Sequence, residues 1–314
     1  MSAYVVRRFL QAAVVIFFVS VIVFALLHAL PGGLARAQLG PGASNYEVHN
    51  LEVQEGLLKP VPVQYGIWAW QALRGNLGFS YKLNQSVGSL LAEYLPRTLL
   101  LVGSSLLLAI AIAIPLGLWQ GRRRNRIDDH VLTLSMMIFY AMPDFLIGVA
   151  LILVLSIWFP LFPSTASDFG TSLPADISDL VLPVLPLLLG NVAFLSRYMR
   201  SATIDSSLED YVRTAYAKGA SPRRVLFGHV LRNSVLSTVT LVGLSIPFVL
   251  SGALVIEALF NFPGVGLLFW NASQSRDYPV LLGVVLVITV ATIVGNLAAD
   301  IAYAAIDPRV RYQT

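Results

Sequence analysis

Six apolar runs, at 9–30, 98–119, 131–159, 180–195, 235–260 and 280–306, constrain this chain more than any other feature. At about 1.5 Å per residue the first is long enough to cross a hydrocarbon core roughly 30 Å thick. A spanning segment in that core must satisfy its own backbone, which runs of this length do as helices. The fourth run is short and carries Pro183 and Pro186. Composition points the same way, with 56% hydrophobic and 12% charged residues, against roughly 25% charged in ordinary soluble domains. The expected fold is an all-α polytopic membrane protein with six transmembrane helices. The absence of Cys excludes a disulfide scaffold, a thiolate zinc site, an iron–sulfur cluster and a cysteine nucleophile. Ala35-Arg36-Ala37 resembles a signal-peptidase site. A secretory apolar region is only about 7–15 residues long, so the first run reads as an uncleaved helix.

Six spans place both termini on one side, and the basic residues choose the side. Of 21 Lys and Arg, fifteen fall there: Arg7 and Arg8, then Arg122, Arg123, Arg124 and Arg126, seven more between Arg197 and Arg232, and finally Arg309 and Arg311. Basic bias in short loops marks the cytoplasmic face. Both termini, the 121–130 loop and the 196–234 segment are therefore expected in the cytoplasm. That face stays net basic after Asp128, Asp129, Asp205, Glu209, Asp210 and Asp307 are subtracted. The sequence pI near 9.4 thus needs no nucleic-acid partner.

Two extramembrane stretches exceed simple turns. Residues 31–97 are punctuated by Gly40-Pro41-Gly42 and Pro60-Val61-Pro62 around a Trp68, Trp70 and Leu73 group. Short helices on the outer membrane surface are expected there, with the tryptophans at headgroup level. Residues 196–233 read as helix, glycine turn, helix. Asp205 or Ser206 is the expected first cap, Lys218 and Gly219 the first stop, and Ser221 with Pro222 the second start. Small residues at Thr214, Ala215 and Ala217 leave room for a close partner. Arg213, Arg223, Arg224 and Arg232 offer charge to acidic surfaces or lipid headgroups. By itself such a hairpin is more often a solvated connector than a docking device.

Asp144, Glu257 and Asp300 lie within or near span interiors, where a charge costs roughly 2.5–3.5 kcal/mol at the helix centre. Asp144, beside Pro143, fits either a pathway-lining role or a hydrogen bond to freed backbone groups. Glu257 and Asp300 lie nearer span ends and fit helix pairing or snorkelling. His28 reads as interfacial. The same acids suit a proton- or ion-coupled secondary transporter, but no internal repeat accompanies them and the hairpin is left unexplained. Gly103-Ser104-Ser105 resembles a nucleophile site, yet it opens a span among small residues suited to helix packing, and no His-Glu-x-x-His occurs. The lysines, Lys59, Lys82 and Lys218, are never preceded by Gly. The chain therefore has no standard phosphate-binding loop, and any ATP-derived energy must come from another protein.

The run Glu209-Asp210-Tyr211-Val212-Arg213-Thr214-Ala215, with Ala217-Lys218-Gly219, Arg223-Arg224-Val225-Leu226 and Leu231-Arg232-Asn233, resembles the ATPase-contacting loop of bacterial ABC importer permeases. The likeness is to the dipeptide/oligopeptide subgroup, which also includes nickel and glutathione importers. Phe262-Pro263-Gly264-Val265-Gly266, Arg276-Asp277-Tyr278-Pro279 and Asp307-Pro308-Arg309 extend it along the chain. Gly33, Tyr216, Gly228 and Ser237 depart from the usual residues. The resemblance implies a type I importer permease in the bacterial inner membrane, divided into 1–30, an extracytoplasmic 31–97 and a five-helix core 98–314. That core would contain a coupling hairpin at 205–233. The implied partners are a second homologous permease, two ATPase subunits carrying ATP and Mg, an extracytoplasmic substrate-binding protein and membrane lipid. No cofactor is implied in the chain itself. Segment 31–97 and the loop 262–278 would meet the binding protein, and di- or oligopeptides are the implied cargo.

Overall fold

The computed structural model describes the backbone at 2–29, 33–40, 42–166 and 169–306, excluding side chains at 2–9, 37, 236–237, 239–240, 243–252 and 298–306. The fold is helical, with one two-stranded hairpin among the described residues. Four helices are long and apolar enough to cross a membrane, or five spans if one bent pair counts as a single span. The chain divides into two compact units, 1–98 with 263–294 and 99–262 with 295–314.

The first unit contains α1 (Ser2–His28), α2 (Leu34–Leu39), α3 (Asn45–Gln54) and α4 (Val61–Leu73). Strands β1 (Phe79–Ser80) and β2 (Gln85–Ser86), the start of α5 (Val87–Arg122), α12 (Val265–Ser275) and most of α13 (Tyr278–Ile306) complete it. Ser44 opens α3 with a capping box: its hydroxyl accepts from the Glu47 amide, and the Glu47 carboxylate accepts from the Ser44 amide. The Ser44 amide, and after it the Ser44 hydroxyl, donate to the Glu47 carboxylate and hold that carboxyl below its ordinary range. Helix α4 runs along α1. The Tyr65 and Ser20 hydroxyls lie 2.9 Å apart, His28 Nε2 lies 2.9 Å from Gln64 Oε1, and Trp68 packs beside Phe24. Trp70 and Leu73 remain exposed.

The segment 262–278, expected to be a loop, holds α12. Its Val265, Leu268 and Ala272 are buried with Val87, Leu90, Leu91 and Val284. The Val265 amide donates 2.8 Å to the buried Thr98 hydroxyl, completing the start of α12. Buried Ser80 donates to Asp277, tying the strand hairpin to the turn before α13. Neither α12 nor the hairpin has an apolar run long enough to stand out in the sequence.

The second unit contains the rest of α5, α6 (Ile127–Ala141), α7 (Asp144–Ile152) followed by a π-turn (Leu153–Trp158), and α8 (Leu173–Leu208). Beyond it come α9 (Asp210–Ala217), α10 (Pro222–Val225), a second π-turn (Leu226–Val230) and α11 (Leu231–Leu259). The third apolar run is one bent pair: α6 and α7 with its π-turn meet at 101°, where Pro143 ends α6 and caps α7. The fourth run becomes part of a 36-residue helix that continues through Pro183 and Pro186. Ser172 and Pro174 start that helix beyond the apolar run. The fifth run falls on α11, most of whose central side chains lie outside the described residues.

Helix α5 meets α8 through two glycines. A Cβ at Gly117 would sit 2.6 Å from Met199 Cβ and 2.7 Å from the Ser196 carbonyl oxygen, and one at Gly121 would sit 2.6 Å from Thr203 Cβ. Small residues let helix backbones approach closely, and here no larger side chain fits. Substituting Gly117→Leu should therefore lower stability by about 1–3 kcal/mol through overpacking, read as a fall in the Tm of the detergent-purified chain. Gly103→Leu should change it little, because nothing lies within 4 Å of a Cβ there.

Candidate functional site

The hairpin of α9 and α10 is built from local capping and from two small inward contacts. Glu209, in extended conformation, is the N-cap of α9. This corrects the expected cap at Asp205 or Ser206, which instead belong to the last turns of α8. Their position follows from packing. Thr203 and Ser206 are buried, and the Ser206 hydroxyl lies 2.5 Å from that of Tyr211 and 3.5 Å from the Val230 carbonyl oxygen, so α8 stays helical to Leu208.

Val212 and Ala215 form the buried face of α9, packing with Leu118, Met199, Val225 and Val230. The three-residue spacing of Val212 and Ala215 puts both on one face and leaves Asp210, Arg213, Thr214, Ala217 and Lys218 exposed. Arg213 and Asp210 face each other at 3.5 Å, nearly fully solvated, a pair worth little to stability. Thr214 returns its hydroxyl to the Asp210 carbonyl at 2.9 Å.

The stop falls where the sequence places it. The Lys218 amide donates to the Thr214 carbonyl at 3.0 Å, and Gly219 takes φ 82°, a left-handed conformation that closes a helix without Cβ strain. The Ala220 amide then reaches back to the Ala215 carbonyl at 3.1 Å. Ser221 caps α10 at the Arg224 amide, with Pro222 in the first turn. Arg223 and Arg224 are exposed on α10. The structure thus places Ala217, Lys218, Gly219, Arg223 and Arg224 on the open surface of one hairpin. Glu209 lies on another side, where it lines a cavity of about 670 Å³ with Asp205, Tyr211 and Asn233.

The acids expected within or near spans fall on three different helices. Asp144 stands at the start of α7, its Oδ1 2.8 Å from where a Gly190 Cβ would be, so α8 has no side chain at that point. Glu257 is fully buried in α11 beside Ile256 and one turn from Phe260. Asp300 lies on α13 with its side chain outside the described residues, as does the whole of the tail 307–314.

A buried ion pair escaped the sequence reading. Asp129, read only as a loop charge, is completely buried. It accepts two hydrogen bonds from Arg200, Nε to Oδ1 and Nη2 to Oδ2, both at 2.7 Å. The Asn125 amide donates to Oδ2 at 3.1 Å. This fork-to-fork geometry is the strong form of the pair, and it fastens α6 to α8 within two helical turns of the hairpin. The only hint in the sequence was a second carboxylate in the first turn of α6 beside Asp128, which itself pairs with Arg123. Removing one partner strands a buried charge. Asp129→Asn should cost toward the lower end of about 3–5 kcal/mol, since Arg200 keeps some water. The exchange Asp129→Arg with Arg200→Asp should recover part of the lost Tm.

With this geometry in place, comparison with known proteins is informative. Residues 113–312 match the model of the binding-protein-dependent transport system inner membrane component, and residues 1–102 match its N-terminal counterpart. A Brucella ovis protein named as a peptide permease is 38% identical over 319 residues, covering 99% of each chain. The oligopeptide transport system permease protein AppB of Bacillus subtilis is 36% identical, covering 99% of this chain and 100% of its own length. The glutathione transport system permease protein GsiC of Escherichia coli is 34% identical, covering 100% of each.

Proposed function

Because the chain belongs to the family of binding-protein-dependent transport system inner membrane components, we propose that it forms half of the translocation pathway of an ATP-driven importer for di- or oligopeptides. The peptide cargo rests on relatives named for peptide, oligopeptide and glutathione transport. Its partners in this reading are a second homologous permease, two ATPase subunits binding ATP and Mg, and an extracytoplasmic substrate-binding protein. Six spans with both termini cytoplasmic accommodate the bent pair as one span and α11 as another. Basic-residue bias supports that orientation.

The observation that carries the mechanism is the two-faced α9. Val212 and Ala215 hold it against α5 and α8, while its outer face offers Thr214, Ala217 and Lys218. An ATPase surface that grips the outer face differently in its open and closed states shifts the balance between inward- and outward-facing spans. Close approach at Gly117 and Gly121, and the Asp129–Arg200 pair, make α5, α6 and α8 the elements through which the hairpin acts. Asp144, beside the bend, is assigned to the pathway.

Co-purification from the native membrane in mild detergent tests the assembly: a phosphate-loop ATPase and a second multi-span chain should accompany this one. Purification alone, with no ATP-dependent peptide uptake after reconstitution, overturns the proposal. Within the assembled importer, Gly219→Pro should abolish the left-handed stop. Ala217→Trp should block the outer face. Both should cut peptide uptake at least about tenfold while the chain still inserts. Normal uptake in both variants would remove the hairpin from the mechanism. Asp144→Asn should change the transport rate with the complex still assembled.

A further inference from the structure

The turn joining α5 to α6 carries Arg122, Arg123, Arg124 and Arg126, all exposed. The two carboxylates beside them are already engaged, Asp128 with Arg123 and Asp129 with Arg200. Among the described residues, Arg122, Arg124 and Arg126 have no ion pair, so three guanidinium groups face outward uncompensated. Next to them lies a groove of about 880 Å³, lined among others by Trp119, Arg126, Ile127 and Val131, and by Asp128, whose carboxylate is held by Arg123. Arg123 lies 5.0 Å over the Trp119 ring, fixing the indole at one wall.

From that groove an apolar stripe runs down α6. Ile127, Val131, Leu134 and Ile138 are 83, 58, 62 and 59% exposed, at spacings that put all four on one helix face. The stripe belongs to a helix pair long and apolar enough to cross a membrane, in a chain of an inner-membrane family. On the membrane reading of α6 this exposed stripe faces hydrocarbon, and the arginines at its end fall at the boundary where lipid phosphates lie.

We propose that this turn and stripe form a binding site for an anionic phospholipid of the surrounding bilayer. Its phosphate would be held by Arg122, Arg124 and Arg126, with one acyl chain along Ile127, Val131, Leu134 and Ile138. The chemistry is specific in both parts. Guanidinium groups bind phosphate oxygens through paired hydrogen bonds, and a soluble acidic partner could answer the arginines but not the exposed stripe. A zwitterionic lipid supplies the chain but no net charge. The site rests on the membrane reading of α6, not on the identity of the cargo.

Native mass spectrometry of the full-length chain, in the complex in which it purifies, tests this by titration with phosphatidylglycerol or phosphatidylcholine. Phosphatidylglycerol should be retained preferentially. That preference should fall at least about tenfold in the Arg122→Gln, Arg124→Gln, Arg126→Gln variant, while the corresponding triple Lys variant keeps most of it. An unchanged preference in the Gln variant overturns the proposal. Loss of an ATPase subunit with lipid retention intact also overturns it, in favour of a protein contact. Should the Gln variant fail to assemble, a photoactivatable phosphatidylglycerol on the wild-type chain decides: cross-links within 119–138 support the site, and cross-links found only elsewhere refute it. Lipid retention is read without transport, so failure of the importer proposal would leave this readout standing.

Discussion

The arrangement of the second unit depends on how closely α5 can approach α8. At Gly117 and Gly121 the two backbones nearly touch, with Ser196, Met199 and Thr203 filling the space that side chains would need. In a lipid environment the hydrophobic effect does not drive one helix onto another, so dispersion contacts at such short range and internal hydrogen bonds do the holding. The approach brings Leu118 against Met199, and around these two the buried residues of α9, α10 and the π-turn collect. A wider separation would remove the floor on which Val212 and Ala215 rest. The hairpin is thus a consequence of glycines more than ninety residues upstream, combined with its own caps.

A different kind of bond works beside this contact. The Asp129–Arg200 pair is directional and completely buried at Asp129, where the glycine contact is only close. Replacing a buried pair by apolar residues of similar volume is often neutral or stabilising, so its value lies less in net energy than in register. A one-turn slip of α6 along α8 would leave both charges without partners. Under the proposed mechanism, motion passing from the hairpin into α8 would reach α6 through this pair.

What the sequence could reveal follows the range of each interaction. The Ser221-Pro222 start and the Lys218-Gly219 stop were legible because capping is decided within four residues. The N-cap of α9 was not, since Asp205 and Ser206 carry the preferred capping side chains, whereas Glu209 caps without a side-chain hydrogen bond and burial of Ser206 against Tyr211 and Val230 keeps α8 helical past both. The length of α8 was hidden because its ends are polar and the apolar run covers only its middle. Pro143 marked a break, but a 101° turn needs the packing of Gly148 against Leu259 and Phe260 to hold it. The strand hairpin and α12 are short and carry no periodic signal, and their anchors, Ser80 to Asp277 and Thr98 to Val265, join residues far apart in the chain.

The distance between Asp129 and Arg200 along the chain has a consequence in time. They are 71 residues apart, and at roughly 5–20 residues per second of synthesis the ribosome needs about 4–14 s to supply the arginine after the aspartate. Throughout that interval the carboxylate that ends completely buried lacks the arginine it ends against, and α6, fifteen residues long, is too short to span on its own. The start of α6 must wait in the aqueous interface until α8 arrives. The bent pair is therefore completed late, by a segment made after it, and the nascent chain passes through a stage in which its third apolar run is synthesised but not yet fixed.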